Sequence, residues 1–146
     1  MRLKTLVYPI ILLALAACGG GDEIQLEKGP FLLNDRNELL FDTEFGSGTY
    51  VGATTFNTLI LENRGDQPLE ITKVEKSGPG AFTVRLPQEL ADGQPVRLES
   101  RKSAFIEVQF KPAEAKTYEG KLTITSNSGN APTKEIRLFG KGVTPP

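Results

Sequence analysis

The sequence has no histidine and no tryptophan, and only one of its 146 residues is a cysteine. Without histidine, a Ser-His-Asp or Cys-His arrangement cannot be built, and zinc loses its commonest ligands. A single thiol also excludes a disulfide within one molecule. An exported domain of this chain must therefore be stabilised by its hydrophobic core without disulfide bonds. The 18 acidic residues leave two-carboxylate chemistry open, but none stands in a recognisable motif. We therefore expect a protein that is not an enzyme and has no cofactor or metal.

An excess of charge of one sign is also missing. The chain has 17 basic and 18 acidic residues, for a formal net charge of −1. Binding to a nucleic-acid backbone requires clustered positive charge, so we expect no nucleic-acid partner. Arg97, Arg101 and Lys102 form one small basic cluster. A solvated face explains this cluster about as well as contact with anionic lipid does.

The N-terminus is organised differently from the rest of the chain. Arg2 and Lys4 precede an apolar run over residues 6–17. A membrane-spanning helix needs about 20 apolar residues, and this run is much shorter. A positively charged start followed by a short apolar run is typical of a signal peptide. We predict that residues 1–17 are removed in the mature protein.

The residues that follow indicate lipidation. Leu15-Ala16-Ala17-Cys18 resembles the bacterial lipobox. The resemblance implies cleavage before Cys18, a diacylglycerol thioether on its sulfur and an acyl chain on its new amine. Two or three acyl chains anchor a protein lastingly, whereas one holds it only marginally. The alternatives are an ordinary secretory signal with a chance cysteine, or a buried free thiol. Because Gly19 replaces the aspartate typical of inner-membrane retention, we expect the outer membrane.

The mature chain divides into a tether and one domain. Residues 18–38 are predicted to be a lipidated, flexible tether and N-terminal arm, because three consecutive glycines follow Cys18. Residues 24–38 are compatible with either an extra edge strand or a loosely packed arm. Residues 39–146 are predicted to form the folded domain. A chain of this size suits a single domain.

Residues 39–146 have the pattern of an all-β domain. Short β-prone runs alternate with turn residues, and no stretch of ten or more has the period of an amphipathic helix. Strands are predicted at 39–45, 55–63, 69–76, 81–86, 95–99, 103–111, 118–126 and 133–140. About seven or eight strands of this length suit a β-sandwich of two sheets.

The alternation within three strands predicts which face is buried. Residues of one parity are apolar and those of the other parity are mostly polar, so the first set should form the core. The predicted core residues of these strands are Ala104, Ile106, Val108, Phe110, Tyr118, Gly120, Leu122, Ile124, Ile136 and Leu138. In strand 69–76, Val74 is out of phase with Leu69 and Ile71, which predicts a bulge near Thr72 or Lys73.

Several motifs over residues 40–143 resemble the immunoglobulin-like domains of the abnormal-spindle and hydin group, which is related to major sperm protein and includes the bacterial choice-of-anchor D type. The motifs include LILENRG at 59–65, IEVQFKP at 106–112, YEGKLTITSN at 118–127 and IRLFGKG at 136–142. The resemblance implies an immunoglobulin-like sandwich with no catalytic residues. Asn63 and Gly65 suit a turn with positive φ, and Gly140 and Gly142 suit a close backbone approach.

The anchor, the tether and the absence of catalytic groups favour a non-catalytic protein-binding or scaffolding module of the cell envelope. A protein partner would meet the loops or an open sheet edge. The candidate contact residues are Asn63, Arg64, Asp66, Asn127 and Asn130.

Two other functions are open. A glycan-binding or matrix-binding adhesin would use exposed aromatic rings, for which Tyr50, Phe105 and Phe139 are candidates, although packing against a neighbouring strand or the arm is the preferred interpretation of both phenylalanines. A calcium site is a third idea, but its acidic residues lack the spacing of a dedicated loop, and solvated turn acids are the preferred interpretation. The acids concerned are Asp35, Asp42, Glu44 and Asp66.

The lipid anchor gives the first testable prediction. Mass spectrometry of the native protein should find Cys18 as the first residue, carrying the mass of a diacylglycerol and of an acyl chain. An unmodified mature protein that starts at another residue would contradict this prediction.

Overall fold

The computed structural model describes residues 25–41 and 47–146. Cys18, the predicted signal peptide and two of the candidate acids, Asp42 and Glu44, lie outside the described residues. Among the residues described, no helix is long and apolar enough to cross a membrane.

The described part of the chain contains ten strands and one single-turn helix. The strands are β1 (Leu32–Asn34), β2 (Glu38–Phe41), β3 (Thr49–Tyr50), β4 (Thr55–Asn63), β5 (Leu69–Ser77), β6 (Phe82–Arg85), β7 (Val96–Leu98), β8 (Ser103–Phe110), β9 (Thr117–Ser126) and β10 (Thr133–Val143). The helix α1 (Gln88–Ala91) lies between β6 and β7.

The strands form two sheets. Four strands lie in the order β1-β4-β8-β6, and a second sheet has the order β2-β10-β9-β5-β7 with β3 added beside β10. The paired strands are antiparallel, except that β2 and β3 run parallel to β10. The predicted all-β, immunoglobulin-like sandwich is confirmed.

The two sheets pack on each other through one hydrophobic core. Ile106, Val108 and Phe110 on β8 are completely buried, as are Leu122 and Ile124 on β9. The predicted inward faces of these strands are therefore confirmed. Burying an apolar side chain of this size contributes about 1.5–3 kcal/mol, so the alternation along each strand fixes its register.

Aromatic rings fill one part of this core. The ring of Phe110 lies 5.6 Å from that of Phe41, 5.0 Å from that of Phe82 and 5.5 Å from that of Tyr118, measured between centroids. The cluster also explains Gly140, because a Cβ atom at that position would stand 2.6 Å from Cζ of Phe110. The predicted close approach at this glycine is confirmed.

The bulge predicted in the strand 69–76 is confirmed. The pairing of β5 with β9 shifts between Ile71 and Lys73. One extra residue there brings Val74 into partial contact with the core. The sequence pattern did not predict β3 or α1, which are two and four residues long, and an edge strand was one of two arrangements left open for the region of β1.

The prediction of a positive φ at Asn63 and Gly65 is wrong. The described residues with positive φ are five glycines, at positions 29, 48, 52, 78 and 93, and Arg101. Gly65 is instead required by space, because a Cβ atom there would overlap the carbonyl oxygen of Gly29. The turn after β4 thus accommodates another segment of backbone.

Two phenylalanines on opposite faces of β8 give a prediction about stability. Phe110→Ala should lower the free energy of unfolding by about 3–5 kcal/mol, because it leaves a cavity among the aromatic rings. Phe105 is 60% exposed, so Phe105→Ala should change the free energy by about 0.5 kcal/mol or less. Urea denaturation of the two variants measures both values. Equal losses in the two variants would show that the assigned faces of β8 are wrong.

Candidate functional site

The candidate contact residues surround a segment that precedes the main strands. We call residues 27–35 the N-terminal segment. Its central strand, β1, pairs antiparallel with the end of β4, so Leu32 stands opposite Asn63 and Asn34 opposite Leu61. Of the two arrangements left open for residues 24–38, the structure therefore has an edge strand at residues 32–34.

Asn63 joins this segment to the rest of the sandwich. Its side chain is fully buried. Its Oδ1 atom accepts hydrogen bonds from the backbone N–H groups of Phe31 (3.3 Å) and Gly65 (2.9 Å). Its Nδ2 atom donates to the carbonyl oxygens of Gln67 (2.7 Å) and Leu98 (2.9 Å). Since an asparagine amide can form four such bonds, Asn63 has none left for a partner.

Asn130 and Asp66 bind the same segment. The amide of Asn130 pairs with the backbone of Leu32: Oδ1 accepts from the N–H group at 2.9 Å, and Nδ2 donates to the carbonyl at 2.8 Å. It thereby takes the place of a peptide group on a neighbouring strand. Oδ1 of Asp66 accepts a hydrogen bond of 2.6 Å from the N–H group of Gly29.

Backbone hydrogen bonds complete the attachment. The N–H group of Glu27 donates to the carbonyl of Arg64 at 2.9 Å, and the N–H group of Asp66 donates to the carbonyl of Glu27 at 2.8 Å. Arg64 also donates its N–H to the carbonyl of Phe31 at 2.9 Å. The N-terminal segment is therefore an integral part of the sandwich edge.

The two remaining candidates also bond within the chain. Oδ1 of Asn127 accepts a hydrogen bond of 2.8 Å from the N–H group of Glu70, and its Nδ2 donates to the carbonyl of Pro68. The guanidinium of Arg64 forms an ion pair of 2.8 Å with Glu62. Four of the five candidates thus surround the N-terminal segment, and Asn127 holds the start of β5.

The charged residues considered for ion binding are partly engaged in similar contacts. Asp35 accepts a hydrogen bond of 2.9 Å from the N–H group of Ile60 and pairs with Arg36 at 2.6 Å. Partial burial acts to raise the pKa of Asp35, but the bond from Ile60 and the neighbouring Arg36 outweigh it, so the pKa lies below its ordinary value. Within 25–41 and 47–146, no group of three or more Cys, Asp or Glu side chains is arranged to hold a metal.

The exposed aromatic residues lie on the outer surface. Phe105 is 60% exposed, on the outer face of the four-stranded sheet, opposite Ile60 of β4. The interpretation that Phe105 packs against a neighbouring strand or the arm is therefore wrong. Tyr50 is 46% exposed and Phe139 is half-buried.

Phe105 stands beside an open groove of about 750 Å³. Its walls are the first half of β8, the segment at the start of α1 and the edge strand β7. The lining residues include Arg85, Leu86, Pro87, Val96, Leu98 and Ala104. The sequence pattern did not indicate this groove, because Pro87 marks where β6 ends but not which residues of β8 are left without a neighbour.

Together the sheet order and the single core define the class of protein: an immunoglobulin-like β-sandwich. Residues 29–143 match the family model described as Cep192 domain 4. The chain belongs to this family. A search of curated protein sequences finds no match.

Solved structures support the same class. A protein of unknown function from Porphyromonas gingivalis W83 superposes with a TM-score of 0.61 at 15% identity, over 84% of this chain and 51% of that one. This chain therefore spans about half the length of that protein. The PapD-like domain 7 of human CEP192 superposes with a TM-score of 0.54 at 17% identity, over 100% of this chain and 99% of the domain.

Part of a secreted serine protease, VesC of Vibrio cholerae, is also similar. The TM-score is 0.51 at 17% identity, over 78% of this chain but 23% of the protease. At such identities these three likenesses establish the fold alone.

The buried amide of Asn63 gives a prediction. Asn63→Ala should lower the free energy of unfolding by about 3 kcal/mol or more, because it leaves buried groups of Gly65 and Leu98 without partners, at about 1–3 kcal/mol each. Asn127→Ala is the matched control. Its partners are exposed and can bond to water, so it should cost about 1 kcal/mol or less. Thermal or urea unfolding measures both, and a small loss in Asn63→Ala would contradict the role assigned to this side chain.

Proposed function

We propose that this chain is a non-catalytic protein-interaction module of the bacterial cell envelope, held at a membrane by lipid on Cys18. The lipobox-like residues before Cys18 support the anchor. The fold and the family support a binding module, because neither brings a catalytic group with it. The outer membrane is the expected location, since Gly19 follows the lipidated residue.

One observation carries the binding role: the outer face of the four-stranded sheet exposes large apolar side chains. Phe105 is 60% exposed, Phe56 is 58% exposed and Leu33 is 42% exposed. They lie on three adjacent strands, β8, β4 and β1. Phe105 lies opposite Ile60, four residues along β4 from Phe56, and Leu33 lies opposite Glu62. Large apolar side chains exposed on one face of a folded domain support a surface that another molecule covers.

The N-terminal attachment is compatible with access to this face. In the proposed mature protein, the chain from Cys18 to Gln25 spans at most about 25 Å, so the lipid stays close to the end where the chain enters the domain. That end is formed by the 63–67 turn and the 129–130 loop, which bind the N-terminal segment. Phe56 and Phe105 project from the outer face of the sheet: Phe56 lies seven residues before Asn63 on β4, and Phe105 stands opposite Ile60, three residues before Asn63.

A photocrosslinking amino acid at Phe56 or Phe105 tests the proposal in intact cells. At least one of these positions should give a discrete adduct with an envelope protein, reproducibly and from the membrane fraction. Glu119 is the matched control, because it is exposed on β9 in the other sheet. The absence of any adduct from both phenylalanines, or equal adducts from Glu119, would contradict the proposed function.

The exposure of Phe105 and Tyr50 favours one second candidate, a glycan-binding or matrix-binding adhesin. Exposed aromatic rings are surfaces on which a sugar ring can pack. A glycan array distinguishes the two functions. Specific glycan binding that is lost in Phe105→Ala and Tyr50→Ala variants would favour the adhesin, whereas a silent array together with the protein adduct would favour the interaction module.

A further inference from the structure

The groove beside Phe105 exists because one edge strand is too short. β6 is four residues long and pairs only with residues 107–110 of β8, which is eight residues long. Pro87 follows shortly after β6 and serves as the N-cap of α1. Proline has no N–H group to donate, and it restricts the residue before it, so the strand ends there. Over the described ranges, no strand covers residues 103–106 on this side.

The hydrogen bonds of Ile60 establish which backbone groups of β8 face the gap. Ile60 is the partner of Phe105 in the antiparallel ladder. However, the N–H group of Ile60 donates to Oδ1 of Asp35 at 2.9 Å, and its carbonyl accepts from the N–H group of Asp35 at 3.1 Å. Both groups therefore point away from β8. Ile60 and Phe105 form the non-hydrogen-bonded type of pair that alternates along such ladders.

The backbone N–H and C=O groups of Phe105 consequently point to the opposite side of β8. The bond of 2.9 Å from the N–H group of Lys111 to the carbonyl of Ala81 shows that residues of this parity face β6. Ala81, just before β6, lies beside Lys111, whereas the segment after β6 has turned away from β8 before it reaches Phe105. In the part of the chain that is described, the two Phe105 groups have no backbone partner. They form a free donor and acceptor at a sheet edge.

Part of the core is less well covered at the same place. Most core residues are at most 3% exposed; of the four that exceed this value, Tyr118 lies elsewhere, and Val96, Leu98 and Ala104, at 7%, 6% and 8%, line the groove. On the outer rim, Phe105 and Leu86 are 60% and 36% exposed. Side chains of a strand placed here would alternate in direction. One would point inward onto Val96, Leu98 and Ala104, and the next would point outward beside Phe105 and Leu86.

The charged residues around the groove balance one another, which suits an uncharged occupant. Arg85 lies 3.4 Å from Glu107, and Arg97 pairs at 3.0 Å with both Glu70 and Glu99. The two cations that line the groove are thus neutralised by acids of the same chain. Glu89 also lines the groove, so the lining has two arginines and two glutamates and no net charge. The groove therefore favours neither an acidic nor a basic peptide.

We infer that this groove binds an extended, uncharged segment of a partner protein, with apolar residues at alternate positions. The segment adds to β8 beside Phe105, antiparallel to it, and occupies the place that β6 leaves empty. This inference rests on the proposed function and assigns its binding site.

Amide hydrogen exchange by NMR tests the inference on the full chain in detergent micelles. In the free chain, the Phe105 amide should exchange rapidly, whereas the neighbouring Ile106 amide, which faces β4, should be protected. A saturating heptapeptide of alternating valine and threonine should increase the protection of Phe105 by at least about tenfold. A control peptide with proline at alternate positions should give no protection, because it lacks the required donors.

Two matched variants locate the site. Phe105→Lys should abolish the effect of the valine–threonine peptide, and Phe56→Lys, on the same sheet face and equally exposed, should retain it. A protected Phe105 amide in the free chain, equal responses of both variants, or peptide-dependent protection at another sheet edge would overturn the inference. Protection that appears on raising the concentration of the chain alone would also contradict it, because the occupant would then be a second copy.

The test is separable from that of the proposed function. Crosslinking in cells from Phe56, combined with no peptide-dependent protection of Phe105, would reject the groove and retain the interaction module. Peptide-dependent protection of Phe105, combined with no crosslink from either phenylalanine, would support the groove as a strand-binding site and reject the envelope function.

Discussion

The structure depends on the requirement that buried backbone groups have hydrogen-bond partners, and Asn63 is the residue that meets this requirement at the junction of three segments. Its amide joins the N-terminal segment, the turn after β4 and the edge strand β7. Each of these is irregular or short and cannot form a full ladder with its neighbours. A side chain that offers two donors and two acceptors replaces the missing ladder. Asn130 does the same for Leu32 on the opposite side of the segment.

The two edges of the four-stranded sheet differ as a result. The β1 edge is formed by the N-terminal segment, whose backbone is attached by residues 63–67 and 129–130. The β6 edge covers only half of β8 and leaves the polar groups of Phe105 open beside three core residues that are 6–8% exposed. Edge strands with free polar groups are sites where another chain can pair. The attached edge and the open strand are the two features on which the proposed interaction module depends.

Much of the fold could be predicted from the sequence, because the alternation in β8, β9 and β10 is regular and a slip of one residue would expose the whole apolar face. Even the bulge before Val74 follows from the phase of three apolar residues. The attachment of the N-terminal segment could not be predicted in this way, since it depends on an asparagine 98 positions away from Leu32. Phe105 falls on the outward face by its parity, and the preference for burying a phenylalanine was misleading. The predicted end of β6, at residue 86, lies within one residue of the observed end at Arg85. The groove instead depends on the register of β6 on residues 107–110 of β8, which a single-sequence pattern does not contain.

The central claim is that the N-terminal segment belongs to the cooperative unit of the sandwich, so that one edge is closed and the other is open. Native-state hydrogen exchange of the Phe31 and Leu32 amides tests this claim most directly, because these amides donate to Asn63 and Asn130. The account predicts that both exchange with the same free energy as the amides of Leu122 and Ile124 in the core, through global unfolding. Rapid exchange of Phe31 and Leu32 while the core amides stay protected would contradict it.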